Sequence, residues 1–295
     1  MLTAVITAAP GKILNSQKLD QLCQDWQGSN IIWLAEYEAV MFRFSRQPED
    51  YESRWLEWQA EHVDLNLIDG IPTPKSILVA DMDSTMIKQE CLDELAEIAG
   101  VGQEVRQVTA RAMNGELDFD DALRERVALL KGQPTSIIDS VLNHHIQFMP
   151  GAVTLLATMR RNGGYAALVS GGFTPFTQYV SNYLGFDEHH GNVLMISGDT
   201  LTGAVANPIK GKETKEQICL DLSDRFQIPM SDIMAVGDGA NDLAMLDIAG
   251  MGVAFHAKPV VAAASRWRIN HGDLTTLLYL QGYRKSDFIT HPSCD

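Results

Sequence analysis

The run Ser76-Ile77-Leu78-Val79-Ala80 stops on Asp81-Met82-Asp83-Ser84-Thr85, so an apolar segment delivers two aspartates to its carboxyl end. Four consecutive apolar residues behind the proline-rich Ile71-Pro72-Thr73-Pro74 predict a short strand buried on both faces, the pattern of a parallel sheet held between helix layers. Ligands collect outside the carboxyl ends of such strands. A carboxylate there can bind a hard cation through oxygen, or attack phosphorus and become an aspartyl phosphate. The competing reading is a plain turn, for which Asp, Ser and Thr are common residues.

Two later stretches repeat the pattern. Tyr165-Ala166-Ala167-Leu168-Val169 ends in Ser170-Gly171-Gly172, with Thr174 and Pro175 placed as helix N-cap and first-turn proline, which has the form of a phosphate cradle. Ile233-Met234-Ala235-Val236-Gly237 ends in Asp238-Gly239-Ala240-Asn241-Asp242, where glycines let backbone approach closely and the carboxylates have the form of a cation site. If the three strands are parallel neighbours, their ends converge.

Asp81-Met82-Asp83-Ser84-Thr85, the Ser170-Gly171-Gly172 strand end, the helix bearing Lys215 and Gly237-Asp238-Gly239-Ala240-Asn241-Asp242 together resemble the four motifs of the haloacid dehalogenase-like phosphatases, most nearly its phosphoserine phosphatase branch. The resemblance covers roughly residues 75 to 285, in order. It implies an α/β fold, a doubly wound parallel-sheet (Rossmann-like) core with an inserted helical cap. It also implies a Mg²⁺-dependent phosphomonoester hydrolase of serine biosynthesis, cleaving O-phospho-L-serine. Asp81 would be the nucleophile and Asp83 the acid and base. Asp81, Asp238 and the Asp83 carbonyl would hold the metal, with Asp242 behind them and Asn241 nearby. Ser170, Gly171 and Lys215 would hold the phosphoryl group. Glu90 and Arg126 would meet the substrate ammonium and carboxylate, with Met113 and Phe119 as apolar walls. On residue type alone, Glu90 caps a helix and Arg126 forms an intrahelical ion pair. Two rival functions are the same core acting on another small phosphomonoester, and a non-hydrolytic aspartyl-phosphate switch. A switch should lack an acid/base such as Asp83 beside its acceptor.

Composition narrows the partners. A formal net charge of −15 with no basic patch speaks against nucleic acid, and the phosphate site must supply its own positive charge, from Lys215, Arg126 or a cation. No segment reaches the roughly 18 apolar residues of a membrane span, and the start lacks a basic leader. Cys23, Cys91, Cys219 and Cys294 are scattered, as reduced thiols of a cytoplasmic protein would be.

Residues 1–70 lie outside the resemblance. Strand, helix (Ser16 capping), two strands, helix and strand give the order βαββαβ of a small α+β ferredoxin-like domain, which resembles ACT-type domains. A homodimer through this domain is the expected assembly, with serine binding as a further expectation. Residues 69–74 read as the boundary to a phosphatase core over 71–295. Helical patterns at 90–99, 103–113, 118–130 and 135–147 predict a cap inserted at about 88–149, able to cover a site and exclude water. His144-His145 and His189-His190 suggest a transition metal, but each pair lacks a spaced third ligand. The methionines read as core filler, and Trp26, Trp33, Trp55 and Trp58 as packing or a subunit interface.

Overall fold

The computed structural model describes residues 1–290, so Cys294 falls outside it. The first 69 residues form β1 (Leu2–Ala8), α1 (Ser16–Asp25), β2 (Ser29–Ala35), β3 (Ala39–Phe44), α2 (Tyr51–Ala60) and β4 (Val63–Asp69). The sheet runs β2-β3-β1-β4 and is antiparallel throughout, the ferredoxin-like arrangement expected from the element order. The α1 cap is Asn15 rather than Ser16, because the Asn15 side chain accepts from the Lys18 amide at 3.1 Å.

Six parallel strands make the larger sheet: β5 (Ile77–Ala80), β6 (Tyr165–Phe173), β7 (Glu188–Asn192), β10 (Ile233–Gly237), β11 (Met251–Phe255) and β12 (Trp267–Ile269), in the order β12-β11-β10-β5-β6-β7. The three motif-bearing strands are therefore adjacent. Both faces are buried, as the unbroken apolar runs require. Leu78, Ala80, Leu168, Met234 and Val236 pack with α7 (Ala152–Arg161), α8 (Thr174–Leu184) and α12 (Thr276–Leu280). Ile77, Val79, Val169, Ile233 and Ala235 face α9 (Lys212–Phe226), α10 (Leu243–Ile248) and α11 (Pro259–Ala264).

Between β5 and β6 stand α3 (Cys91–Ala99), α4 (Gly102–Met113), α5 (Phe119–Ala128) and α6 (Ser136–His144). The chain enters and leaves this layer through one narrow neck, where Ile87 bridges Phe148 and the Lys88 and Met149 amides donate to Gln147 and Met86 at 2.9 Å. A hairpin of β8 (Leu194–Ser197) and β9 (Thr200–Val205) gives it a second attachment. Gly132 donates to Leu201, Leu201 to Gln133 and Thr135 to Asp199, each at 2.8 Å.

The small sheet is not a free-standing module. Its β1 face carrying Ala4 and Ile6 packs on α1 and α2, whereas Val5, with Leu34, Ala39 and Ile68, joins the core of the large body beside Leu278 and Tyr279. Trp26 and Trp58 are buried in the small domain, while Trp55 lies under Arg268, 4.2 Å from its ring centre.

Candidate active site

Asp81 continues the line of β5, with its amide donating to the Val236 carbonyl at 3.0 Å. Its carboxylate is buried, and Oδ1 lies 2.5 Å from Lys215 Nζ. Lys215 reaches it from the first turn of α9 and meets Asp242 Oδ1 at the same distance. Burial alone would lower the lysine, but the Asp242 and Asp81 charges outweigh it and keep the ammonium protonated. Asp81 itself is raised well above the usual carboxylate range, by desolvation and by the Asp242 charge, against the pull of Lys215.

Both oxygens of Asp242 are engaged. Oδ1 takes Lys215, and Oδ2 accepts the Asp238 and Gly239 amides at 3.1 and 2.9 Å. Gly237 permits this, since a Cβ there would stand 2.4 Å from the Asp242 carboxyl carbon. Asp238 is less committed, with the Thr85 hydroxyl 3.5 Å from its Oδ1. Desolvation and then Asp242 push it up to about 6. One carboxylate oxygen from each of Asp81, Asp238 and Asp242 lies within 4.8 Å of the others, so the cluster could hold a metal ion. Its under-compensated charge suits a cation, and Asp81 and Asp238 are the better ligands because Asp242 is already spent.

Asp83 sits across from the Ser170 loop. Its Oδ1 accepts the Cys91 amide at 3.0 Å and its Oδ2 accepts the Ser170 hydroxyl at 3.2 Å. Although it keeps some contact with solvent, desolvation and then Glu90 push it up to about 6. Ser170 Oγ in turn accepts the Gly172 amide at 2.8 Å. The strand stays extended to Phe173, which takes the N-cap position expected of Thr174, so Thr174 is already helical.

The cap residues divide. Phe119 opens α5 behind the Asp118 cap, and its ring lies against Gly171 and Gly211, where added Cβ atoms would be 3.0 and 3.1 Å away. Arg126 is half-buried, its Nε donates to the Ala122 carbonyl at 3.2 Å, and it makes no ion pair among the described residues. Burial lowers it, against Asp93 and Glu90. Glu90 holds the N-cap position of α3 without capping it; its carboxylate accepts the Ser84 hydroxyl at 2.8 Å. Met113 ends α4 and is 77% exposed. Asn241 turns back on the glycine loop, its Oδ1 2.3 Å from where a Gly239 Cβ would stand.

A family model described as haloacid dehalogenase-like hydrolase matches residues 78–247. A phosphoserine phosphatase of Vibrio cholerae serotype O1 is 42% identical over 218 residues, 73% of this chain and 66% of that protein. A probable phosphoserine phosphatase of Schizosaccharomyces pombe is 42% identical over 226 residues, 75% of this chain and 76% of its own length. The chain belongs to the haloacid dehalogenase-like hydrolases, in the phosphoserine phosphatase family. The crystal structure of a probable phosphoserine phosphatase from Vibrio cholerae, unliganded, superposes on this hydrolase with a TM-score of 0.80 at 33% identity, covering 95% of this chain and 86% of the other.

Several residues of this hydrolase's site escaped the sequence. Cys91, Asn192 and Gly211 carry no motif: Cys91 gives Asp83 a backbone amide, Asn192 satisfies backbone groups with its carboxamide, and Gly211 leaves room for the Phe119 ring. The histidine pairs point elsewhere. His189 and His190 lie on β7 and contact Thr177 Oγ1 at 3.0 Å and Glu188 at 3.2 Å, respectively. His145 follows α6 and meets Glu94 at 2.6 Å. No helix among the described residues is long and apolar enough to cross a membrane.

Proposed function

We propose that this chain is a phosphoserine phosphatase that hydrolyses O-phospho-L-serine through an aspartyl phosphate on Asp81. The observation that carries the reading is a buried carboxylate at a strand end, fixed by a buried lysine and faced by a second carboxyl group bonded to a hydroxyl-bearing phosphate loop. With Oδ1 held by Lys215, Asp81 Oδ2 attacks phosphorus in line and the bond to the serine oxygen breaks. Asp83 gives that oxygen its proton. A water then attacks the aspartyl phosphate, Asp83 takes the water's proton, phosphate leaves and the Asp81 carboxylate is restored. The Ser170 hydroxyl and Gly171 amide hold phosphoryl oxygens, and Lys215 offsets their charge.

Asp81, Asp238 and the Asp83 carbonyl are the oxygen ligands proposed for Mg²⁺, with Asp242 orienting Lys215 from behind. Bound there, the cation offsets the repulsion between the attacking carboxylate and the phosphoryl oxygens. Arg126, half-buried and without an ion-pair partner among the described residues, would meet the substrate carboxylate, and Glu90 the ammonium. The hydrogen-bonded Asp83 speaks against a non-hydrolytic switch.

Phosphate release from phosphoserine and from an aryl phosphate, with and without Mg²⁺, tests the reading on wild type and Arg126→Ala. Wild type should need Mg²⁺ and prefer phosphoserine. The variant should lose roughly ten- to a hundredfold in kcat/KM on phosphoserine, the value of a charge-assisted contact, and little on the aryl phosphate. Equal loss on both substrates would remove Arg126 from recognition, and no release from phosphoserine would end the proposal.

A further inference from the structure

Asn192, the last residue of β7, is buried and lies in no motif. Three of its four side-chain hydrogen-bonding sites are filled by backbone. Nδ2 donates to the Gly171 carbonyl at 2.8 Å and to the Lys210 carbonyl at 3.0 Å, and Oδ1 accepts the Lys210 amide at 2.7 Å. Two carbonyls and one N–H allow a single orientation of the carboxamide.

The carbonyl of Gly171 and the amide of Gly172 belong to one planar peptide unit. Asn192 holds its oxygen end, and Ser170 Oγ receives its N–H at 2.8 Å. With one lone pair so used, the Ser170 hydroxyl turns its proton to Asp83 Oδ2 at 3.2 Å. On the other side, Asn192 fixes both peptides of Lys210, just before Gly211, which lies under Phe119 and opens the helix that carries Lys215. One carboxamide thus ties the phosphate loop to the root of the lysine helix.

We infer that Asn192 is a positioning residue for phosphoryl binding, setting the Ser170 rotamer and the spacing between the Ser170–Gly171 loop and the Lys215 helix. This deepens the phosphatase reading and rests on it only in taking Ser170 and Gly171 as phosphoryl ligands. Asn192→Ala removes the tie, Asn192→Ser keeps a small polar group, and Asn192→Asp sets a carboxylate oxygen against two carbonyl oxygens.

The test titrates orthophosphate calorimetrically into the full chain with Mg²⁺ present, alongside thermal melts. Glu188→Gln, at the other end of β7, is the control for damage to the strand. The Asn192 variants should bind phosphate at least about tenfold more weakly below their melting points, a loss on the scale of one buried hydrogen bond or more. The control should bind it as wild type does. Wild-type affinity in the Asn192 variants would overturn the inference, and so would failure of all three to fold while Glu188→Gln folds, since Asn192 would then be structural only. If wild type binds phosphate but releases none from phosphoserine, the function above fails, and the binding ratios still decide Asn192.

Discussion

At the scale of single residues, four carboxylates and one ammonium share the site, and the imbalance decides how each substitution reads out. Asp81→Asn removes the nucleophile but also a buried charge that desolvation and Asp242 disfavour, while Lys215 keeps Asp242 as its partner. Turnover should fall by at least about a thousandfold, in keeping with loss of a covalent nucleophile. Metal-free unfolding stability should change by no more than about 1 kcal/mol, because neutralising a disfavoured buried charge offsets the lost ion pair. Steady-state kinetics and urea melts read the two effects separately; activity within about tenfold of wild type would refute a covalent role for Asp81. Asp81, Asp83, Ser170, Asp238 and Asp242 were legible as candidates because reactive side chains punctuate apolar runs at strand ends, whereas Lys215, in the first turn of α9, followed only from the family resemblance. Asn192 was not legible. A residue that works by satisfying backbone groups leaves no trace in side-chain chemistry, and its partners at Gly171 and Lys210 are distant in sequence until the fold joins them.

Among elements, β7 shows why one strand was unreadable. Glu188-His189-His190-Gly191-Asn192 has neither alternation nor an apolar run, and it is a strand because it is the edge partner of β6 and is fastened by side chains. Glu188 accepts from Arg225 of α9 at 2.7 Å, from Tyr165 of β6 at 3.0 Å and from His190. Burial alone would raise its carboxyl, but the Arg225, His190 and Tyr165 hydrogen bonds hold it down at about 2. A carboxyl lower in the folded than in the unfolded chain stabilises fully above its unfolded value, and the contribution fades as pH falls toward the folded one. Glu188→Gln should therefore cost about 1 kcal/mol near neutrality, a figure reduced because Arg225 is largely exposed. The gap from wild type should shrink between about pH 4.5 and about pH 2. Urea melts across that range check it, and a gap independent of pH would mean that packing, not charge, carries the effect. The cap helices, by contrast, were legible from periodicity and end signals such as Asp118 and the left-handed Gly100.

For the whole molecule, the order βαββαβ was readable at the start of the chain, but its relation to the rest was not. A small sheet pairing with a second copy needs a free surface, and this one spends most of its own on the same chain. One face enters the large core through Val5, Leu34 and Ile68. The β4 edge is occupied by side chains that imitate a ladder. Asn66 Nδ2 donates to the Arg268 carbonyl and Oδ1 accepts the Arg268 amide, both at 2.9 Å, while Trp267 Nε1 donates to the Leu67 carbonyl at 2.8 Å. Buried Asp64 gathers the Asn270, His271 and Gly272 amides at 2.9, 3.1 and 2.8 Å. Any pairing with a second copy is left to the β2 edge and the outer helix faces. Asp64→Ala would strand three amides at the junction, and Asp64→Asn would turn an NH₂ toward them. We expect Asp64→Ala to cost about 3 kcal/mol, the scale of buried donors left unmet, which lowers the melting temperature by roughly 6–12 °C in a chain of this size. A chain beginning at Pro72 should melt lower still, because it bares the Leu278 and Tyr279 face that the small sheet covers. Calorimetry on the full chain should show one transition that Asp64→Ala shifts as a whole. Two separate transitions, with only the first moved by Asp64→Ala, would mean that the small domain folds and melts independently of the phosphatase body.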